Sequence, residues 1–112
     1  PVSDTQVQTN MQVISAFLDS NYQISEDVCL PRWTHLQNFT LSTNPHTTDN
    51  ALQIENRVDT DVLEKLSKLG HNVDLLEPWG ASGSEGMISI NQKTGVYSAA
   101  VDPRRDGQAI AW

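Results

Sequence analysis

From Val7 onward, apolar residues recur at helical spacing: Val7, Met11, Ile14 and Leu18 form one stripe, widened by Phe17. Gln6, Gln8, Asn10 and Gln12 fall largely elsewhere. This period predicts a helix over Val7–Asn21 that turns its stripe to a core. Ser3, followed three residues later by Gln6, is the capping-box pattern that opens such a helix. "SEDVCLPRW" offers Ser25 as the cap of a second, short helix, which Pro31 ends.

The period then changes. From Trp33 to Asn50 the chain is polar and rich in Thr and Asn, which reads as a short strand or extended segment followed by a loop. "ALQIENRV" alternates Leu52, Ile54 and Asn56 against Gln53, Glu55 and Arg57, a strand pattern. "DTDVLEKLSKLGHNV" returns to helical spacing, with Asp59 as cap and Asp61 in the first turn. Lys65 and Lys68 lie toward its far end, matching the helix dipole. Val62, Leu63, Leu66 and Leu69 form the face expected to be buried, and Gly70 supplies the left-handed stop. "NVDLLE" reads as a strand, and "MISINQKTGVYSAAVD" as a β-hairpin turning at Lys93–Gly95. The expected fold is α+β, with the Val7–Asn21 and Thr60–Leu69 helices on one face of a largely antiparallel sheet. In that sheet Met87–Asn91 pairs with Val96–Val101. No repeat or linker divides the chain, so residues 1–112 read as one domain.

Composition narrows the partners. Fourteen acidic against seven basic residues give a formal charge of −7, which argues against a general nucleic-acid surface. No apolar run approaches the roughly 20 residues of a membrane span, and nothing resembles a signal peptide. The single Cys29 excludes an internal disulfide, reads as a small buried hydrophobe, and tilts localisation toward a reducing, cytoplasmic compartment. The start at "PVSDTQVQ", just ahead of a helix, reads as a cut in something longer.

Local motifs supply no complete active site. His35, His46 and His71 are widely separated and match no metal-ligand spacing, so neither metal nor cofactor is expected. "GASGSEG" lacks the Lys-Ser/Thr of a phosphate loop and leads into a strand instead of a helix. "NFT" at Asn38 is a glycosylation sequon without a secretory signal, and Thr47 and Thr48 lie mid-chain, where no α-amine can activate them. One stretch stands apart. "SAAVDPRRDGQAIAW" sets Arg104 and Arg105 between Asp102 and Asp106, with Pro103 fixing the backbone before them and Gly107 freeing it after. That is a shaped turn presenting guanidinium groups.

Four stretches resemble, in order, those of the γ-glutamyltranspeptidases: "DTQVQTNMQVI", "LPRWTH", "LEKLSKLGHNV" and "GSEGMISIN…GVYSAAVDPRRDGQAIAW". The resemblance runs over nearly the whole chain and is weakest from Phe39 to Ala51. It implies the C-terminal portion of an N-terminal-nucleophile-hydrolase αββα sandwich, here the C-terminal part of the small subunit. In that family a precursor cleaves itself, and the new N-terminal threonine takes a γ-glutamyl group from glutathione-type amides to water or an amino acid. By the resemblance that threonine precedes Pro1, so this chain holds no catalytic residue of its own. Val2 and Ser3 stand where the family's Pro-Gly-Gly turn supplies oxyanion-hole N–H groups. A β-branched Val2 tolerates such a turn only if φ stays negative.

The resemblance also gives the arginines a task. A buried guanidinium needs a carboxylate or several carbonyls. Arg104 or Arg105, with Arg32 and Asp102, is therefore expected to clamp the loops that shape the site without touching substrate, and the other arginine to be solvated. The expected partners are the large subunit, the N-terminal part of the small subunit, and a γ-glutamyl substrate for the whole enzyme. A sheet face left uncovered around Ile88 and Ile90 predicts a homodimer of the isolated chain. The competing class is a non-catalytic interaction module of the same ancestry.

Overall fold

The computed structural model describes residues 5–38 and 47–112, the side chains of 37, 38 and 47–50 excepted. Helix α1 spans Gln6–Ser20 and α2 spans Ile24–Asp27; strands β1 (Trp33–Asn38) and β2 (Thr47–Glu55) follow. Then come α3 (Thr60–Lys68), β3 (Asn72–Leu76), β4 (Gly86–Ile90) and β5 (Tyr97–Val101). The fold is α+β. Its strands form two sheets, β1-β2-β3 and β4-β5. Pairing is antiparallel for β1–β2 and β4–β5, and parallel for β2–β3, which α3 connects as a crossover.

Alternation gives the larger sheet two unlike faces. Trp33 and His35 lie opposite Ile54 and Leu52, which lie opposite Leu75 and Val73. This apolar face receives α3: Leu66 joins Trp33, His35, Leu52 and Ile54 around one cleft, and Leu63 joins Val73 and Leu75 around another. The other face carries Thr34, Gln53, Glu55 and Asp74, with Arg32 just before β1, and there Arg32, Thr34 and Glu55 are buried.

Helix α3 keeps Asp59 at its N-cap, Asp61 in the first turn, Lys65 and Lys68 in the last, and Gly70 at φ 96°. Its burial is thinner than the four-residue face expected. Leu63 and Leu66 are half-buried, whereas Val62 and Leu69 are exposed. Among the described residues the sheet beneath is three strands wide and reaches the two central positions of the stripe.

Helix α1 departs further from its pattern. Val7, Met11, Ile14 and Leu18 are all exposed, and Thr9 and Val13 are the buried residues. Its hold on β1 is polar. The Gln12 amide donates to Trp33 O at 2.9 Å and accepts from Trp33 N at 3.0 Å. Gln8 does the same for His35, at 3.1 and 2.8 Å. Four helical residues rise about 6 Å and two strand residues about 6.6 Å, so one glutamine per turn matches alternate residues of an edge strand. The two amides thus satisfy the side of β1 turned away from β2.

Two caps also differ from expectation. Thr5 occupies the cap of α1, and Ser3 lies outside the described residues. Helix α2 is capped by Gln23, not Ser25, through a reciprocal pair with Glu26. The hairpin forms as the sequence indicates, but among the described residues it is a two-stranded sheet of its own and not part of the sheet that α3 covers: Gly95 takes φ 71°, and the Asn91 side chain accepts from Lys93 N and Thr94 N. Ile88 and Ile90 face outward while Met87 and Ser89 turn in. A small core of Ile24, Val28 and Ala100, joined by Phe17, Met87 and a half-buried Cys29, ties α1 and α2 to the hairpin.

Candidate functional site

The polar face of the larger sheet converges on Glu55, whose side chain has no exposed surface. Register explains its place: at the end of β2, Glu55 N donates to Arg32 O across the antiparallel pair, so Arg32 and Glu55 emerge together. Arg104 reaches Glu55 from the turn after β5. Its Nε and Nη2 donate to Oε1 and Oε2, both at 2.7 Å, in the fork geometry that guanidinium and carboxylate share. Arg57 Nη2 adds a contact to Oε2 at 2.6 Å, and Ala81 N donates to Oε1 at 3.1 Å.

Arg104 spends all five of its N–H donors. Beyond Glu55, Nη1 donates to Val28 O at 3.2 Å and to Asp102 Oδ1 at 3.0 Å, and Nη2 donates to Leu30 O at 2.8 Å. One side chain therefore joins the β5 turn, the end of β2 and the chain leaving α2. Asp102 accepts from Arg104 N and Glu85 N, and its Oδ2 lies 2.6 Å from Arg32 Nη1. Trp79 closes the assembly, with Arg57 3.5 Å and Arg104 5.2 Å from its ring centre. It holds φ 63°, a left-handed conformation in the Glu77–Gly80 turn. Gly80 is required there, since a Cβ would sit 2.8 Å from Glu77 O.

The charges are mutually supporting. Burial opposes ionisation of Glu55, yet the hydrogen bonds from Arg104, Arg57 and Ala81 N prevail and lower its pKa to about 2. Burial likewise opposes the charge on Arg104, but Glu55 and Asp102 raise its pKa on balance. For Arg32 burial wins over Asp102, and its pKa falls below the ordinary value. A carboxylate this well supplied with donors is a structural anchor and has no lone pair left to act as a base. Among the described residues no cluster of three or more His, Cys, Asp or Glu could hold a metal.

Of the residues singled out in the sequence, Arg32, Asp102 and Arg104 come together here, and Arg105 does not. Arg105 is exposed and, among the described residues, donates to Arg104 O alone, at 2.7 Å. Val2 and Ser3 lie outside the described residues. Sequence reasoning missed Glu55, Arg57, Trp79 and Asp27. Alternation sets Glu55 on the side of the strand opposite Leu52 and Ile54, and the cross-strand pairing with Arg32 makes that side interior.

The mixed α+β fold that carries this network has solved counterparts among N-terminal nucleophile hydrolases. The cephalosporin acylase of Bacillus halodurans superposes with a TM-score of 0.77 at 28% identity, over 94% of this chain and 18% of that one. An acivicin-inhibited γ-glutamyltranspeptidase superposes with a TM-score of 0.72 at 27% identity, over 96% of this chain and 52% of that one. The oxamate amidohydrolase proenzyme of Klebsiella pneumoniae is 26% identical over 110 residues, 97% of this chain and 20% of its own length. The sequence profile of the γ-glutamyltranspeptidases matches residues 3–112, and the chain belongs to that family. It spans about a fifth of the curated relative and from a fifth to a half of these solved chains.

Proposed function

We propose that these 112 residues are the C-terminal part of the small subunit of a γ-glutamyltranspeptidase-type enzyme, which cleaves an amide by acyl transfer to an N-terminal threonine outside this segment. Within it, the Glu55–Arg104–Asp102–Arg32 network fixes the terminal turn and the α2–β1 connection as a rigid wall for loops that carry the chemistry. γ-Glutamyl transfer or hydrolysis is the activity proposed for the whole protein, and its partners are the remainder of both subunits. The acivicin-inhibited relative is described as having critical roles for its C-terminus in autoprocessing and catalysis. The network is where a corresponding dependence would reside here.

The observation that carries this reading is the exposed apolar stripe of α1, Val7, Met11, Ile14 and Leu18, together with Ile88 and Ile90 on the hairpin. Faces of this kind are normally covered, and the longer relatives have chain to cover them. The test is release of a chromogenic aniline from a γ-glutamyl anilide, by the protein translated from the full reading frame and by the 112-residue chain alone. Turnover by the former and none by the latter is expected. Turnover by the isolated chain, lost on mutating a residue within it, overturns the reading; a frame encoding no N-terminal-nucleophile threonine replaces it with a non-catalytic interaction module.

A further inference from the structure

The network has one member left over. Asp27, in α2, is 2% exposed, and neither of its carboxylate oxygens has a hydrogen-bond partner among the described residues. Arg32 is 3% exposed, and neither of its Nη atoms completes an aligned hydrogen bond there, although Nη1 lies 2.6 Å from Asp102 Oδ2. A buried carboxylate without donors and a buried guanidinium with donors to spare line the same cleft, of about 370 Å³, with Met11, Gln12, Pro31 and Trp33. Each offers what the other lacks. The open volume of the cleft leaves the Arg32 guanidinium room to move.

We propose that Arg32 is a two-position latch, paired with Asp102 when Asp27 is protonated and drawn to Asp27 when Asp27 ionises, so that acid tightens the hold on the terminal Asp-Pro-Arg-Arg turn. In the first position Arg32 adds a second cation to Asp102. In the second it cancels the charge on Asp27 and leaves Asp102 with Arg104 and the backbone N–H groups of Arg104 and Glu85. The surroundings favour a switch at Asp27 rather than elsewhere. Burial raises its pKa and the Arg32 charge only partly opposes this, so it titrates above the ordinary aspartate value. Glu55 stays ionised, with its pKa near 2. Arg104 repels Arg32 and Glu85 attracts it, Glu26 is occupied by the α2 cap, and the α1 residues lining the cleft carry no titratable group.

The experiment is carbon-13 NMR titration of the Asp27 carboxyl in the 112-residue chain, with amide exchange of residues 102–107 followed over the same pH range. In the unaltered chain Asp27 titrates above the ordinary value, and exchange across the turn quickens severalfold as it ionises. In Asp27→Asn the exchange step disappears while the fold remains. In Asp102→Asn the Asp27 midpoint falls, because Arg32 is already at its side. Should that variant not fold, Arg32→Gln serves: it raises the Asp27 midpoint and removes the exchange step. An Asp27 midpoint that moves in neither variant, or an exchange step that persists in Asp27→Asn, overturns the latch.

Discussion

Replacing Glu55 by glutamine keeps the shape of the buried side chain and removes its charge. Two independent routes give the cost. The carboxyl moves from an ordinary pKa of 4.5 to about 2 on folding; at about 1.4 kcal/mol per unit, ionisation at this site contributes about 3 kcal/mol. Seen from the cations, removing one partner of a buried ion pair strands the other, which costs roughly 3–5 kcal/mol. Arg104 retains Asp102, Val28 O and Leu30 O, so the lower end of that range applies. A loss of about 3 kcal/mol is a large part of the roughly 5–15 kcal/mol that stabilises a domain, and lowers Tm by about 15 °C. Urea unfolding at pH 7, followed by Trp fluorescence, measures it directly.

The acid limb gives a second reading of the same quantity. The folded pKa of Glu55 lies below its unfolded value, so its contribution is complete above about pH 4.5 and is lost as pH falls toward 2. Glu55→Gln removes that component of the acid slope. Asp27 works in the opposite sense: its folded pKa is raised, so its stabilising effect belongs to acid and is lost as pH rises through the folded value. A Glu55→Gln variant within 1 kcal/mol of the parent at pH 7, or one with an unchanged acid slope, refutes the assignment of Glu55 as the anchor.

Arg104→Ala should destabilise by at least 3 kcal/mol, because it leaves Glu55 and Asp102 short of donors, whereas exposed Arg105→Ala should stay within about 0.5 kcal/mol; paired denaturation curves decide. The double variant Gln8→Ala and Gln12→Ala removes four side-chain bonds to the β1 backbone and should cost about 2–6 kcal/mol at roughly 0.5–1.5 kcal/mol a bond, with faster amide exchange at Trp33 and His35. Ile14→Lys and Leu18→Lys, on the exposed stripe, should leave stability nearly unchanged and lower self-association of the isolated chain. Light scattering that shows the parent chain to be monomeric at high concentration would remove the basis for the last prediction.

Periodicity and turn chemistry were enough to determine the local elements. The helices around Val7–Asn21 and Thr60–Leu69, the Leu52–Ile54 strand and the Asn91–Gly95 turn all follow from spacing, charge placement and one left-handed glycine, which act within a few residues. The Asp-Pro-Arg-Arg stretch read as a shaped turn presenting guanidinium groups, and the family resemblance added the expectation that one of the two arginines is buried against a carboxylate. Which of the two was buried depended on the reach of Arg104 to Glu55, 49 positions away in sequence. The same holds for Glu55: alternation set it opposite Leu52 and Ile54 on the strand, and pairing with Arg32 and docking of the β5 turn made that face interior. Likewise the apolar stripe of α1 implied a core contact, yet Gln8 and Gln12 turned the helix onto a sheet edge and left the stripe outside. Hydrophobic spacing shows that a face seeks cover, and the packing of distant segments decides which face receives it.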